Sequence, residues 1–207
     1  MLLVKGRNTS SNVMKVLWTL AEIGLKYERE DIGGPYGGND GVEYRALNPN
    51  GLVPTVIDHD LVLWESNTIV RWLAANHSLG TLCPADTGDR ARCEMWMDWQ
   101  LSVLNPLMVP VFHPLVRLPA EDRDPAAIAA AAAKWGESWA LLDAHLAGNR
   151  YVGGDSFTMA DIPLGPLAFR WFELPIDRPD LPDLKRWHDA LCERPAYRAN
   201  VVKIGLV

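Results

Sequence analysis

The sequence is poor in cysteine, has no cluster of positive charge and contains no long apolar run. Its three cysteines, Cys83, Cys93 and Cys192, form neither a CxxC nor a paired spacing. That excludes a disulfide framework and a cysteine zinc site, and it fits a reducing, cytoplasmic setting. A net charge of −6 with lysine and arginine scattered leaves no basic footprint for nucleic acid. No stretch approaches the roughly 20 apolar residues of a membrane helix. The start, "MLLVKGRNTS", turns polar too soon for a secretory signal. Glu94 and Asp98 have no metal-ligand geometry, and no metal is expected.

What remains is 207 residues, 48% of them hydrophobic, enough for a substantial core in one large domain or two small ones. Leu2-Leu3-Val4 reads as a buried strand. Val13, Val16, Leu17, Leu20 and Ile23 recur at helical spacing, Gly24 stops the helix, and Tyr27–Ile32 forms a second strand. A glycine-rich loop, "GGPYGGNDG", follows; it lacks the strand-GxGxxG-helix setting of a dinucleotide site. Thr55–Asp58 and Leu61–Trp64 flank His59-Asp60 as a hairpin, and Ser66 opens a helix carrying Ile69, Val70 and Leu73. The first part is therefore β-α-β, a loop, then β-β-α.

Beyond Cys83 the strand signal ends. One helical pattern covers Asp89–Val103, with Pro106, Pro110 and Pro114 marking its end or a kinked extension. Trp96, Trp99, Gln100 and Val103 share one face and read as packing. Pro125–Leu146 is a second helix, with Ala129–Ala133 as plain helix propensity. Thr158 and Asp161 open a third as a capping-box variant, a structural device. Leu181–Glu193 is a fourth, ended by Pro195. The fold class is α+β in two domains: 1–78 with the βαβ-ββα sheet, 79–88 as linker, and 89–207 as an all-helical bundle.

Four stretches, "SSNVMKV", "NPNGLVPTV", "LWESNTIVRWLA" and "FTMADI", stand in one order across both parts. In that order and spacing the chain resembles the soluble glutathione S-transferases, nearest to the serine- and asparagine-bearing theta, zeta and nu classes. The resemblance implies a thioredoxin-like first domain, glutathione as co-substrate, a homodimer, and detoxifying transfer to a small hydrophobic electrophile. It further implies a cis Val53–Pro54 bond, leaving the Val53 backbone free to pair with the extended cysteinyl unit. Ser66 suits the γ-glutamyl carboxylate at a helix N-terminus, and Glu65 its ammonium.

A transferase of this kind must ionise a thiol whose free pKa is about 8.5. A hydroxyl or amide donating to sulfur near a helix N-terminus favours the anion. The turn Thr9-Ser10-Ser11-Asn12 offers such donors, in the order Ser11, Ser10, Asn12, then Thr9; simple helix capping is the alternative. No tyrosine ends the first strand, and no cysteine lies in residues 1–82 to form a mixed disulfide. Leu52 occupies a spot where relatives place a cation against the glycyl carboxylate, so Arg7, Lys15 or the partner subunit would have to supply one. Pro106, Phe112, His113, Leu115, Trp171 and Phe172 are candidates for the acceptor pocket. Two alternatives stay open: glutathione-dependent disulfide or peroxide reduction, and a non-catalytic binding protein of this fold.

Overall fold

The apolar start of the chain makes a short strand, and the helix after it folds back over the sheet. The computed structural model describes residues 1–206. β1 (Leu2–Lys5), α1 (Ser11–Ile23) and β2 (Tyr27–Glu30) form a parallel βαβ unit. β3 (Thr55–Asp58) joins β1 antiparallel, and β4 (Leu61–Trp64) returns along β3, giving the order β2-β1-β3-β4. The hairpin turns at His59, whose φ of 53° supplies the left-handed backbone that tight strand reversals favour. Val13, Val16, Leu17 and Leu20 of α1 and Ile69 and Leu73 of α3 (Ser66–His77) bury against Leu2, Val4 and Val56 of the sheet.

The segment expected as a loop contains a short helix, α2 (Val42–Leu47). Six residues are too few to show a period in the sequence. Tyr44 ties α2 down: its hydroxyl lies 2.7 Å from the Leu52 carbonyl and 2.8 Å from Thr55 Oγ1.

The second half is helical: α4 (Thr87–Trp99), α5 (Asn105–Arg117), α6 (Pro125–Leu146), α7 (Asp161–Glu173), α8 (Pro182–Cys192) and α9 (Pro195–Asn200). Of the two outcomes expected at the prolines, an end or an extension, the helix takes the extension. α4 passes through a π-type turn at Gln100–Leu104 directly into α5, which runs on through Pro110 and Pro114. Pro106, Pro110 and Pro114 recur every four residues and so share one face. That face is largely exposed, so water can reach the carbonyls that lose their donors. The π turn also breaks the expected packing stripe, leaving Val103 38% exposed. Pro195, expected only as a terminator, opens α9 at its first position.

Several contacts join the halves. Trp18 of α1 reaches into the helical core, with its ring centroid 4.7 Å from that of Tyr197 and 5.5 Å from that of Phe157. It fits because position 165 is glycine; a Cβ there would lie 2.5 Å from the Trp18 ring. Beside it, Glu22 receives the Arg194 guanidinium through both oxygens, at 2.8 and 2.6 Å.

Asp161 organises the helical half from within. It is fully buried; Oδ1 accepts from Val152 N–H (2.9 Å) and Trp187 Nε1 (2.8 Å), and Oδ2 from Thr158 N–H (2.9 Å). The Thr158 hydroxyl accepts from Ala160 N–H at 3.3 Å, so the two side chains satisfy backbone donors in the turn that leads into α7. The cap position of α7 is Ala160 and not Thr158 as the sequence suggested. Burial pushes this carboxyl up to about 6, against the pull of its hydrogen bonds. A folded pKa above the unfolded value of about 3.9 means this group's stabilisation is complete below that value and is lost as pH rises through about 6. Asp161→Asn is expected to lower stability by about 3 kcal/mol, since Nδ2 would oppose backbone donors. It should also remove the wild-type fall in urea midpoint between pH 4 and pH 7.

Candidate active site

β1 ends at Lys5, and the chain then passes between two valines into the turn that begins α1. A Cβ at Gly6 would lie 2.6 Å from Val13 Cγ2 and 3.2 Å from Val53 Cβ, so only glycine permits this approach. Ser10 precedes α1 with extended backbone, yet its side chain caps no helix N–H. The hydroxyls of Thr9, Ser10 and Ser11 have no hydrogen-bond partner among the described residues, and the N–H groups of Ser11, Asn12 and Val13 have no acceptor. Asn12 differs: its Oδ1 accepts from the Ser66 hydroxyl at 3.3 Å, and its amide nitrogen stays free to donate.

Across from this turn lie Val53–Pro54 and the start of α3. The Val53–Pro54 bond is cis. Neither the N–H nor the C=O of Val53 is paired among the described residues. The preceding Leu52 carbonyl is held from two sides, by Tyr44 Oη and by Asn48 Nδ2 at 2.8 Å. The Leu52 side chain is 64% exposed. Glu65 takes a φ of 69°, a left-handed conformation that costs a non-glycine residue on the order of 1 kcal/mol or more. Glu65, not Ser66, occupies the position before α3, so Ser66 is the first helical residue and not its cap.

Ser66 is held by a residue expected elsewhere. Lys15 is fully buried, and its amine donates to Ser66 Oγ (3.4 Å), Asn67 Oδ1 (3.2 Å) and Gln100 Oε1 (3.1 Å). It therefore cannot serve the glycyl carboxylate at the protein surface, as the sequence suggested it could. Asn67 and Gln100 went unread as site residues: Asn67 stands beside Ser66 in "WESN", and Gln100 reads as one more packing position. Asn67 Nδ2 completes the cluster with bonds to the Met97 carbonyl (2.8 Å) and Gln100 Oε1 (3.2 Å).

The acceptor-pocket candidates do not converge. Trp171 packs in the helical core against Trp135, and Phe172 stacks on His188 with centroids 4.7 Å apart. Pro106 and His113 are exposed. Leu115 lines a cavity of about 690 Å³ with Ile128, Arg178 and Pro179, bounded only by residues of the helical half. Phe112 alone lies under charged groups near the turn, beneath the guanidinium groups of Arg170 and Arg117.

Burial lowers the Lys15 amine to about 7, opposed by Glu65 and reinforced by Arg170. A folded pKa below the unfolded value of about 10.4 gives stabilisation that is complete above that pH and lost as pH falls through about 7. Lys15→Met is expected to abolish the gain in urea midpoint between pH 7 and pH 9.5. At pH 7 its net effect should stay within about 1 kcal/mol, because relief of amine burial offsets one orphaned acceptor, Asn67 Oδ1.

Comparison with known proteins agrees with this geometry. The family profile "Glutathione S-transferase, N-terminal domain" matches residues 9–76, and "Glutathione S-transferase, C-terminal domain" matches residues 104–195. The chain is 42% identical over 204 residues to glutathione S-transferase GstB of Escherichia coli strain K12, covering 98% of each protein. It is 35% identical to glutathione S-transferase 3 of Zea mays, over 97% of this chain and 93% of that one. In structure it matches the theta class glutathione S-transferase of Xanthomonas axonopodis pv. citri with glutathione bound. The TM-score is 0.93 at 48% identity, over 97% of this chain and 96% of that one. The chain belongs to the glutathione S-transferase family.

Proposed function

We propose that the protein transfers glutathione to small electrophiles, ionising the thiol at the Ser10-Ser11-Asn12 turn. The observation that carries this reading is the surplus of donors there. Three hydroxyls, the Asn12 amide and three helix N–H groups gather without acceptors at the positive end of α1. A thiolate is an acceptor-only group and satisfies such a set. Moving a thiol from about 8.5 to about 6.5 takes about 2.7 kcal/mol, within reach of one or two charge-assisted hydrogen bonds plus the helix end.

Glutathione lies as an extended peptide beside Val53, whose unpaired N–H and C=O suit the cysteinyl unit. The γ-glutamyl group meets Ser66 at the N-terminus of α3, with Glu65 toward its ammonium and Thr9 at the edge of the turn. Leu52 contributes backbone position and no charge, so the glycyl carboxylate is the least supported part of the ligand. The sulfur lone pair then forms a bond to the electrophilic carbon, and either a leaving group departs with its electrons or a double bond takes up a proton.

Ser11→Ala is expected to lower kcat/KM for chlorodinitrobenzene about 100-fold with little change in glutathione affinity by calorimetry. The acidic limb of the pH–rate profile should rise from about 6.5 toward about 8.5. An unchanged limb would transfer the role to Ser10 or Asn12, and absence of binding at millimolar glutathione would refute the reading altogether.

The same reading makes the protein a cytoplasmic homodimer. The unpaired cysteines Cys83, Cys93 and Cys192 support a reducing compartment, and large apolar side chains left in water, Leu52 and Met95 among them, support a partner subunit. Sedimentation at micromolar concentration should give twice the mass of one chain; a monomer would contradict it.

A further inference from the structure

Arg170 of α7 is 7% exposed, yet no oxygen accepts from its guanidinium among the described residues. Its one hydrogen-bond partner is Met108 Sδ at 3.6 Å, and it lies 3.8 Å from the Phe112 ring centroid. Arg117, at the end of α5, sits 5.9 Å from the same ring. Neither Arg117 nor Arg7 forms an ion pair or a side-chain hydrogen bond among the described residues. Most other arginines do find oxygens: Arg194 binds Glu22, Arg186 binds the Leu146 carbonyl, and Arg71 binds Asp98.

Arg170 and Arg117 face the same Phe112 ring, and the charge of Arg7 acts on this pair. Arg7 and Arg117 both depress the pKa of Arg170, and Arg117 depresses that of Arg7, each adding to burial. The group also borders the sulfur-facing turn: Arg7 precedes Thr9 by two residues, and its carbonyl accepts from Ser10 N–H at 3.2 Å. The field of Arg170 reaches Lys15, one end of the hydrogen-bond chain through Ser66 to Asn12. Burying a guanidinium is costly, and a cation–π contact offsets only part of that cost. Repulsion among the like charges adds to that cost, and an anion placed against them would relieve it.

We propose that the electrophile taken by this site carries a carboxylate, which docks against Arg170, Arg117 and Arg7 while the reactive carbon faces the glutathione sulfur. The inference rests on the transferase reading above. Arginine forks match carboxylate oxygens, and a site that is dry on one side rewards such a pair. In the transfer itself the carboxylate is a spectator. With an aryl chloride the thiolate sulfur forms the C–S bond, the C–Cl bond breaks, and chloride leaves with the electron pair.

The test compares 4-chloro-3,5-dinitrobenzoate with 4-chloro-3,5-dinitrobenzamide, each normalised to its uncatalysed reaction with free glutathione. It also compares the affinities of the two ready-made glutathione conjugates by calorimetry. The acid should be favoured about 10-fold in both measurements. Arg117→Gln should cut that ratio about 5-fold, and raising salt from 10 to 500 mM should shrink it further. Arg170→Met should abolish the preference. Should that variant fail to fold, Arg117→Gln and the salt series still decide. Equal affinities of the two conjugates, or a ratio unmoved by Arg117→Gln, would overturn the proposal. So would an equal loss of affinity for glutathione itself, since the arginines would then hold the tripeptide. If neither acceptor turns over, the transferase reading fails while the conjugate affinities still judge the carboxylate site.

Discussion

The Lys15 amine has no water to face, and the structure is arranged around supplying it with oxygen. Its three acceptors come from two places in the chain: Ser66 and Asn67 at the start of α3, and Gln100 where α4 widens into the π turn. Meeting them fixes α1 against α3 and sets both against the helical half. A buried ammonium without acceptors would be unfavourable by several kcal/mol, so the geometry of this cluster is tightly constrained. The π turn gains a role in this light, because Gln100 begins it and delivers the oxygen.

From that constraint the site follows. Ser66, held by Lys15, donates its hydroxyl hydrogen bond to Asn12 Oδ1 and thereby leaves the Asn12 amide nitrogen uncommitted. The serines beside it stay uncommitted because α1 is positioned by its packing and by Lys15, and needs no side-chain cap. Local rules make capping the default for serine at a helix start. Here the tertiary contacts hold the helix, and those hydroxyls have no partner among the described residues.

The charge balance tells the same story at a larger scale. In a chain with net charge −6, the side chains of Arg7 and Arg117 have no ion pair, and that of Arg170 no oxygen acceptor, among the described residues. Together with the N-termini of α1 and α3 they make a local positive field inside an acidic protein, a setting that favours anions. Thiolate and carboxylate are both such anions.

By itself the sequence determined the βαβ-ββα order, the helical second half and the turn at Thr9–Asn12, and through the family resemblance of its motifs the cis Val53–Pro54 bond. Each is a local pattern, carried by periodicity, punctuation or a short motif. It did not reveal α2, whose six residues show no period, and it left open whether the helix ends at its prolines or runs on, which depends on which face meets water. Only the tertiary structure decided the place of Lys15 and of the arginine cluster. Lys15 reads as a surface cation in a helix, and Arg7, Arg117 and Arg170 lie far apart along the chain. Their meaning arises from burial and from which acceptors are near, and neither quantity exists until the two halves pack together.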